Sequence, residues 1–203
     1  MRALRPILSR QTPQNNGMQH LLALTSRDDF RRWLADNAAS ACECWVAVKR
    51  GRPTEPDVFY YLDAVEEALC FGWIDSTVKT FEGVRYQRFS PRRPNSPWSE
   101  LNKERVRRLE KLGLMTDAGR SVLPPMGDYM PDADVIGALV DANAYETFVS
   151  FPPLYQRIRT YNVAFYKNRD AVAYRRALRH LIDQTLAGKL YGEWNDYGRL
   201  LEY

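Results

Sequence analysis

The sequence predicts an α+β protein: a small, mainly antiparallel sheet with flanking helices, followed by a helical C-terminal region. Three observations predict it. β-Branched and aromatic residues concentrate in 44–50, 73–81 and 84–91, runs with the length and makeup of strands. The last two are separated only by Glu82-Gly83, which suits the two-residue turn of an antiparallel hairpin. Beyond Pro131 the apolar residues recur only at helical spacing.

The elements follow in order. Residues 1–19 read as an N-terminal tail, because Gln11-Thr-Pro-Gln-Asn-Asn-Gly17 is too polar to pack by itself; Met18 is an alternative start. Ser26-Arg-Asp-Asp29 opens a helix with a capping box, and Phe30, Trp33 and Leu34 give it an apolar stripe. The strand from Cys44 ends at Gly51-Arg-Pro53. Leu62, Val65, Ala68 and Leu69 form one stripe of a helix that Gly72 stops, which puts Glu66-Glu67 on its solvent side. After the hairpin, Ser96-Pro97 starts a helix running to about Leu112, with proline at its first position. A short helix follows at 116–122.

The stretch 123–131 is a linker-like break. Helices are then expected at 135–142, 144–151, 153–166 and 170–188, the last stopped by Gly188. Tyr191, Trp194, Tyr197, Leu200 and Leu201 give the remaining tail an apolar face to dock. The expected organisation is a tail over 1–19, an α+β core over 20–122 and a helical region over 123–203.

A chain of 203 residues buries about 70% of its unfolded surface, so it needs no disulfide or metal to fold. Its three cysteines, Cys42, Cys44 and Cys70, suit a reducing compartment. With only His20 and His180 available, no metal site is expected, and no cofactor. No apolar run approaches the ~20 residues of a membrane span. The N-terminus lacks the continuous apolar core of a secretory signal. The expected location is cytoplasmic.

The net charge is only +4, but it is unevenly distributed. Residues 85–111 carry nine basic and three acidic side chains, and 156–180 carry seven and one. Between them, 127–146 holds five acids and no base. Two basic segments of +6 each can form an anion-attracting face or a set of solvated helix surfaces.

The stretch 69–102 carries the candidate site. It combines Trp73 and Trp98 with Arg88, Arg92 and Arg93. Guanidinium forks grip carboxylates and phosphates with paired hydrogen bonds. Indole rings stack on bases and aromatic ligands, although core packing alone accounts for two tryptophans. Asp75 and Ser76 follow Gly72-Trp73 at a helix-to-strand turn, where polar residues face pockets or cap turns. Ser99, Asn102 and Arg105 complete the set from the next helix, whose N-terminal amides at 96–99 attract anions. The expected ligand-binding residues are therefore Trp73, Asp75, Ser76, Arg88, Arg92, Trp98, Ser99, Asn102 and Arg105. Asp75 is the one candidate acid/base. Ser76-Thr-Val-Lys79 has the spacing of an acyl-transfer motif, but residues three apart on a strand point to opposite faces.

The chain resembles the YdeI/OmpD-associated, or bacteriocin-protection, family. The resemblance rests on Val65-Glu-Glu-Ala-Leu-Cys-Phe-Gly-Trp-Ile-Asp-Ser76, Arg88-Phe-Ser-Pro-Arg-Arg93, Ser96-Pro-Trp-Ser-Glu-Leu-Asn102 and Gly113-Leu-Met-Thr-Asp-Ala-Gly119. It continues in Phe151-Pro-Pro-Leu-Tyr155, Arg175-Arg176 and Gly188-Lys189. A basic stretch near Lys167 and Arg169 lacks the family's Glu-Thr pair. The resemblance implies a non-enzymatic stress-protection protein. Because a basic protein repels cationic peptides, protection would act through an anionic ligand or a protein partner. The alternatives are a module binding nucleic acid or a phosphorylated ligand, and an enzyme on a small anionic substrate with Asp75 as acid/base.

Overall fold

Glu82 and Gly83 both adopt positive φ, +48° and +77°, the signature of a turn whose twist matches that of the strands it joins. They connect β3 (Trp73–Phe81) to β4 (Val84–Pro91) in the antiparallel hairpin expected from sequence. The other edge of β4 takes β2 (Cys44–Ala47), also antiparallel, with Trp45 opposite Arg88 and Val46 opposite Gln87. The short β1 (Leu21–Leu22) adds in parallel, giving the order β1-β2-β4-β3. The expected strand through Arg50 ends as a ladder at Ala47; Lys49 then makes a single bridge to Tyr60. This computed structural model describes Met18 and residues 20–203, so apart from Met18 the expected tail lies outside the described residues.

Alternation along β4 sets the two faces of the sheet. Gln87 and Phe89 are buried on one face, while Tyr86 and Arg88, on the other, are half-buried. Phe89 meets Phe30 of α1 (Arg27–Asn37) with ring centroids 5.3 Å apart, and Phe59 closes on Phe30 at 5.8 Å. The capping box forms as expected: Ser26 Oγ accepts from the Asp29 amide at 3.1 Å and donates to Asp29 Oδ2 at 2.8 Å.

The second helix, α2 (Tyr61–Cys70), departs from expectation. Every residue from Leu62 to Cys70 is buried, Glu66 and Glu67 included. These carboxylates face α1 rather than solvent. Arg27 donates to Glu66 at 2.8 Å and to Glu67 at 2.5 Å, and Arg31 donates to Glu67 at 2.7 Å. Their charge is tolerated in the interior because each is paired in good hydrogen-bonding geometry.

The chain divides into two compact units at Arg92/Arg93. The second unit is helical: α3 (Glu100–Lys111), α4 (Asp117–Ser121), α5 (Ala133–Asp141), α6 (Tyr145–Val149), α7 (Pro153–Ala164) and α8 (Ala171–Leu186). Val135, Leu139, Phe148, Tyr155, Ile158 and Leu181 form its core, and Trp194 of the tail docks into it. The helix expected from Ser96-Pro97 begins later. Ser99 is its N-cap and accepts from the Asn102 amide at 3.2 Å, so the terminal amides belong to 100–102 rather than 96–99.

Farther along the tail, Asp196 and Tyr197 both hold positive φ, +50° and +58°. Buried Arg105 holds Asp196 there with two hydrogen bonds of 2.7 and 2.8 Å. Among the described residues, no helix is long and apolar enough to cross a membrane.

Candidate functional site

The site begins at an irregularity in β3. The β3–β4 register shifts between Asp75 and Val78, so the carbonyls of Ser76 and Thr77 leave the regular ladder. Carbonyls released from a ladder take another donor or water. Gln87, on the inward face of β4, supplies one: its Nε2 lies 3.1 Å from Ser76 O and 3.3 Å from Thr77 O. With the amide nitrogen committed to the bulge, the amide oxygen turns the other way. There it accepts from Nη2 of Arg50.

Arg50 is held a second time. Its guanidinium lies 3.7 Å from the ring centroid of Tyr61, a cation–π contact. Tyr61 donates its hydroxyl proton to Asp75 Oδ2 at 2.6 Å, which enriches the ring's electron density and strengthens its hold on the cation. Asp75, Tyr61, Arg50 and Gln87 thus form one connected array within the first unit.

Beside this array lies a cavity of about 260 Å³, lined by Val48, Arg50, Val78, Arg85 and Gln87. Neither Arg50 nor Arg85 forms an ion pair among the described residues, and no carboxylate lines the cavity. Arg50 retains guanidinium N–H groups beyond the one given to Gln87. The site therefore offers two guanidinium groups, a fixed amide and two apolar side chains. That is the donor set for a small anion carrying an apolar part.

The expected site residues are distributed differently. Trp73 is 1% exposed; its Nε1 donates to Ala38 O at 3.2 Å and its ring meets Trp33 edge-on at 5.8 Å. Trp98 is also buried. Neither indole is a solvent-facing stacking platform, because each is large enough to be recruited into packing. Ser76 and Arg88 do come together, with Arg88 Nη1 3.2 Å from Ser76 Oγ. Arg88 is already answered by a resident carboxylate: its Nε donates to Glu43 Oε2 at 2.6 Å, while Trp45 Nε1 donates to Glu43 Oε1 at 2.9 Å.

Asp75 bonds Tyr61 rather than an arginine and does not line the cavity. Arg92 is buried, and its backbone amide donates to Gly72 O at 2.9 Å. In the second unit Ser99, Asn102 and Arg105 form a local group, with Arg105 Nη1 donating to Asn102 Oδ1 at 2.8 Å. Arg105 is neutralised by Asp196.

Sequence reasoning missed Arg50, Arg85 and Gln87. Gln87 had a signal: it shares strand parity with Phe89, and a polar residue on the core face of a strand marks a polar network. The cysteines give no reactive centre. Burial pushes the Cys44 thiol far up and Cys70 up to about 12, while Cys42 is exposed. Among the described residues, no group of three or more His, Cys, Asp or Glu side chains is placed to hold a metal ion.

The first unit is thus a four-stranded α+β module with a cationic cavity beside its central strand. Residues 22–122 match the family described as Domain of unknown function (DUF8412), a segment that takes in the cavity and extends through α4. The comparisons with curated proteins and with solved structures returned no match.

Proposed function

We propose that this protein is a binding module for a small anionic ligand, a phosphorylated or carboxylated molecule, held between Arg50 and Arg85 in the first unit. One observation carries the reading: two arginines without carboxylate partners among the described residues border the same cavity, and one of them is fixed in place by a tyrosine ring and a buried amide. An arginine held in advance loses little side-chain freedom on binding.

Val48 and Val78 favour ligands that carry an apolar part beside the anion. The reading also gives the expected YdeI-type stress protection a physical route. Direct capture of a cationic peptide is opposed by charge at this site, whereas an anionic effector would be drawn to it.

The test is a thermal-shift and calorimetric screen of phosphate, pyrophosphate, citrate and nucleoside monophosphates against the full chain. A hit is expected to raise the melting temperature and to weaken as salt rises. The Arg50→Ala/Arg85→Ala double variant should stay folded, with an unliganded melting temperature lowered by the loss of the Arg50 contacts to Gln87 and Tyr61, and should lose the ligand-dependent rise. A hit whose shift survives the double variant refutes this location.

A further inference from the structure

A second, independent feature lies in the helical unit. Helix α8 turns Arg175, Arg176, Arg179 and His180 outward, positions i, i+1, i+4 and i+5 that share one helical face. Its opposite side sends Leu181 into the core. Among the described residues, the side chains of Arg175, Arg176 and Arg179 form no ion pair or hydrogen bond. Elsewhere in the same unit two cations are answered by carboxylates: Glu100 and Glu104 hold Arg157, and Asp132 and Asp134 hold Lys167. The helix carries one acid of its own, Asp183.

A cavity of about 370 Å³ opens on this face, lined by Tyr166, Ala173, Arg176, Ala177 and His180. Two alanines leave room between aromatic rings, and a guanidinium stands at the same opening. The Tyr191 ring, 4.4 Å away and nearly perpendicular, backs the His180 ring. Aromatic faces beside a row of cations are the combination that holds unpaired bases and their phosphates.

We infer that the outward face of α8 binds single-stranded nucleic acid, with a base seated in the Tyr166–His180 cavity and the backbone running over Arg175, Arg176 and Arg179. The base slot favours this partner over an anionic membrane, which would want an apolar stripe along the centre of the helix, where the arginines stand.

Fluorescence anisotropy of labelled dT12 and U12 with the full chain tests it. Binding should weaken as salt rises. Arg175→Gln/Arg176→Gln/Arg179→Gln, which keeps helix-forming residues at exposed positions, should lower affinity by tenfold or more. It should reduce the salt slope by about 2, the release expected for three lost phosphate contacts on a single strand. Arg176→Gln alone should act in the same direction with smaller amplitude, so the test survives if the triple variant folds poorly. Tyr166→Ala should cost about tenfold toward oligonucleotides, the value of one stacked base. It should leave binding of inorganic polyphosphate unchanged. Arg50→Ala/Arg85→Ala should bind the oligonucleotide like the parent. Unchanged affinity in the α8 variants, loss of binding in the Arg50/Arg85 variant, or equal affinity for phosphatidylglycerol vesicles would each overturn the inference.

Discussion

The segments 85–111 and 156–180 carry the same formal charge, +6, and the fold treats them differently. In the first, almost every cation with a defined partner faces inward to a carboxylate: Arg88 to Glu43, Lys103 to Glu100, Arg105 to Asp196, Arg107 to Glu104. Arg85 is left beside the cavity of the sheet unit. In the second, Arg157 and Lys167 are neutralised, but among the described residues the outward Arg175, Arg176 and Arg179 of α8 are not. A count along the chain therefore does not measure the field a ligand meets. What matters is the guanidinium without a carboxylate, and Arg50, outside both segments, is one.

The largest effects that can break this contrast come from the buried pairs. Asp196→Ala removes the carboxylate that answers the buried Arg105 guanidinium, and Glu67→Ala removes the buried carboxylate that Arg27 and Arg31 share, leaving Arg27 its pair with Glu66. Asp196→Ala should cost about 3–5 kcal/mol in a urea titration, and Glu67→Ala, whose arginines are about a third exposed, somewhat less. A loss below 1 kcal/mol in either would show that these pairs are no more structural than the exposed arginines. Conversely, Arg85→Ala should change stability by no more than about 0.5 kcal/mol, and Arg50→Ala, which strips the buried Gln87 oxygen of its donor, should cost about 1–2 kcal/mol, both below the buried pairs.

A pH titration sharpens the same division. Burial works to raise the Glu104 carboxyl, but hydrogen bonds from Tyr203 and Arg107 and the nearby Arg157 charge hold it below the usual carboxylate range. Its folded value is depressed, so its stabilisation is complete above the ordinary value of 4.5 and is lost as pH falls through the folded value. The melting temperature should drop on acidification below that point, with a shallower fall in Glu104→Gln. Thiol labelling gives a further readout: in the native protein Cys42 should react, while Cys44 and Cys70 should react only on unfolding. The smallest effect is expected at the hairpin. Glu82→Asn places a residue suited to positive φ before Gly83 and should add about 0.5 kcal/mol.

Much of the fold was legible because its signals are local. The Glu82-Gly83 turn, the Ser26–Asp29 capping box and the helical spacing after Pro131 each act over a few residues, and each appears where the sequence places it. The α3 start was misread because Ser96-Pro97 and Ser99 are both competent starts; the Ser99 hydroxyl reaches the Asn102 amide and wins.

Glu66 and Glu67 were misread because an apolar stripe on one side of a helix was taken to imply solvent on the other. Their partners lie 36 to 40 residues away, and no local periodicity reports them. The candidate cavity was hidden for the same reason. Its arginines come from a strand exit and the far side of a hairpin, joined by a glutamine whose orientation depends on a bulge.

The bond between Arg105 and Asp196 spans 91 positions. On a ribosome adding about 5–20 residues each second, the guanidinium emerges roughly 5–20 s before the aspartate that will answer it. For that interval the guanidinium has Asn102 but lacks the Asp196 carboxylate, and the left-handed corner at 196–197 is not yet made. The helical unit is therefore sealed from its far end, by a seam that closes only after nearly all of its helices have already been made.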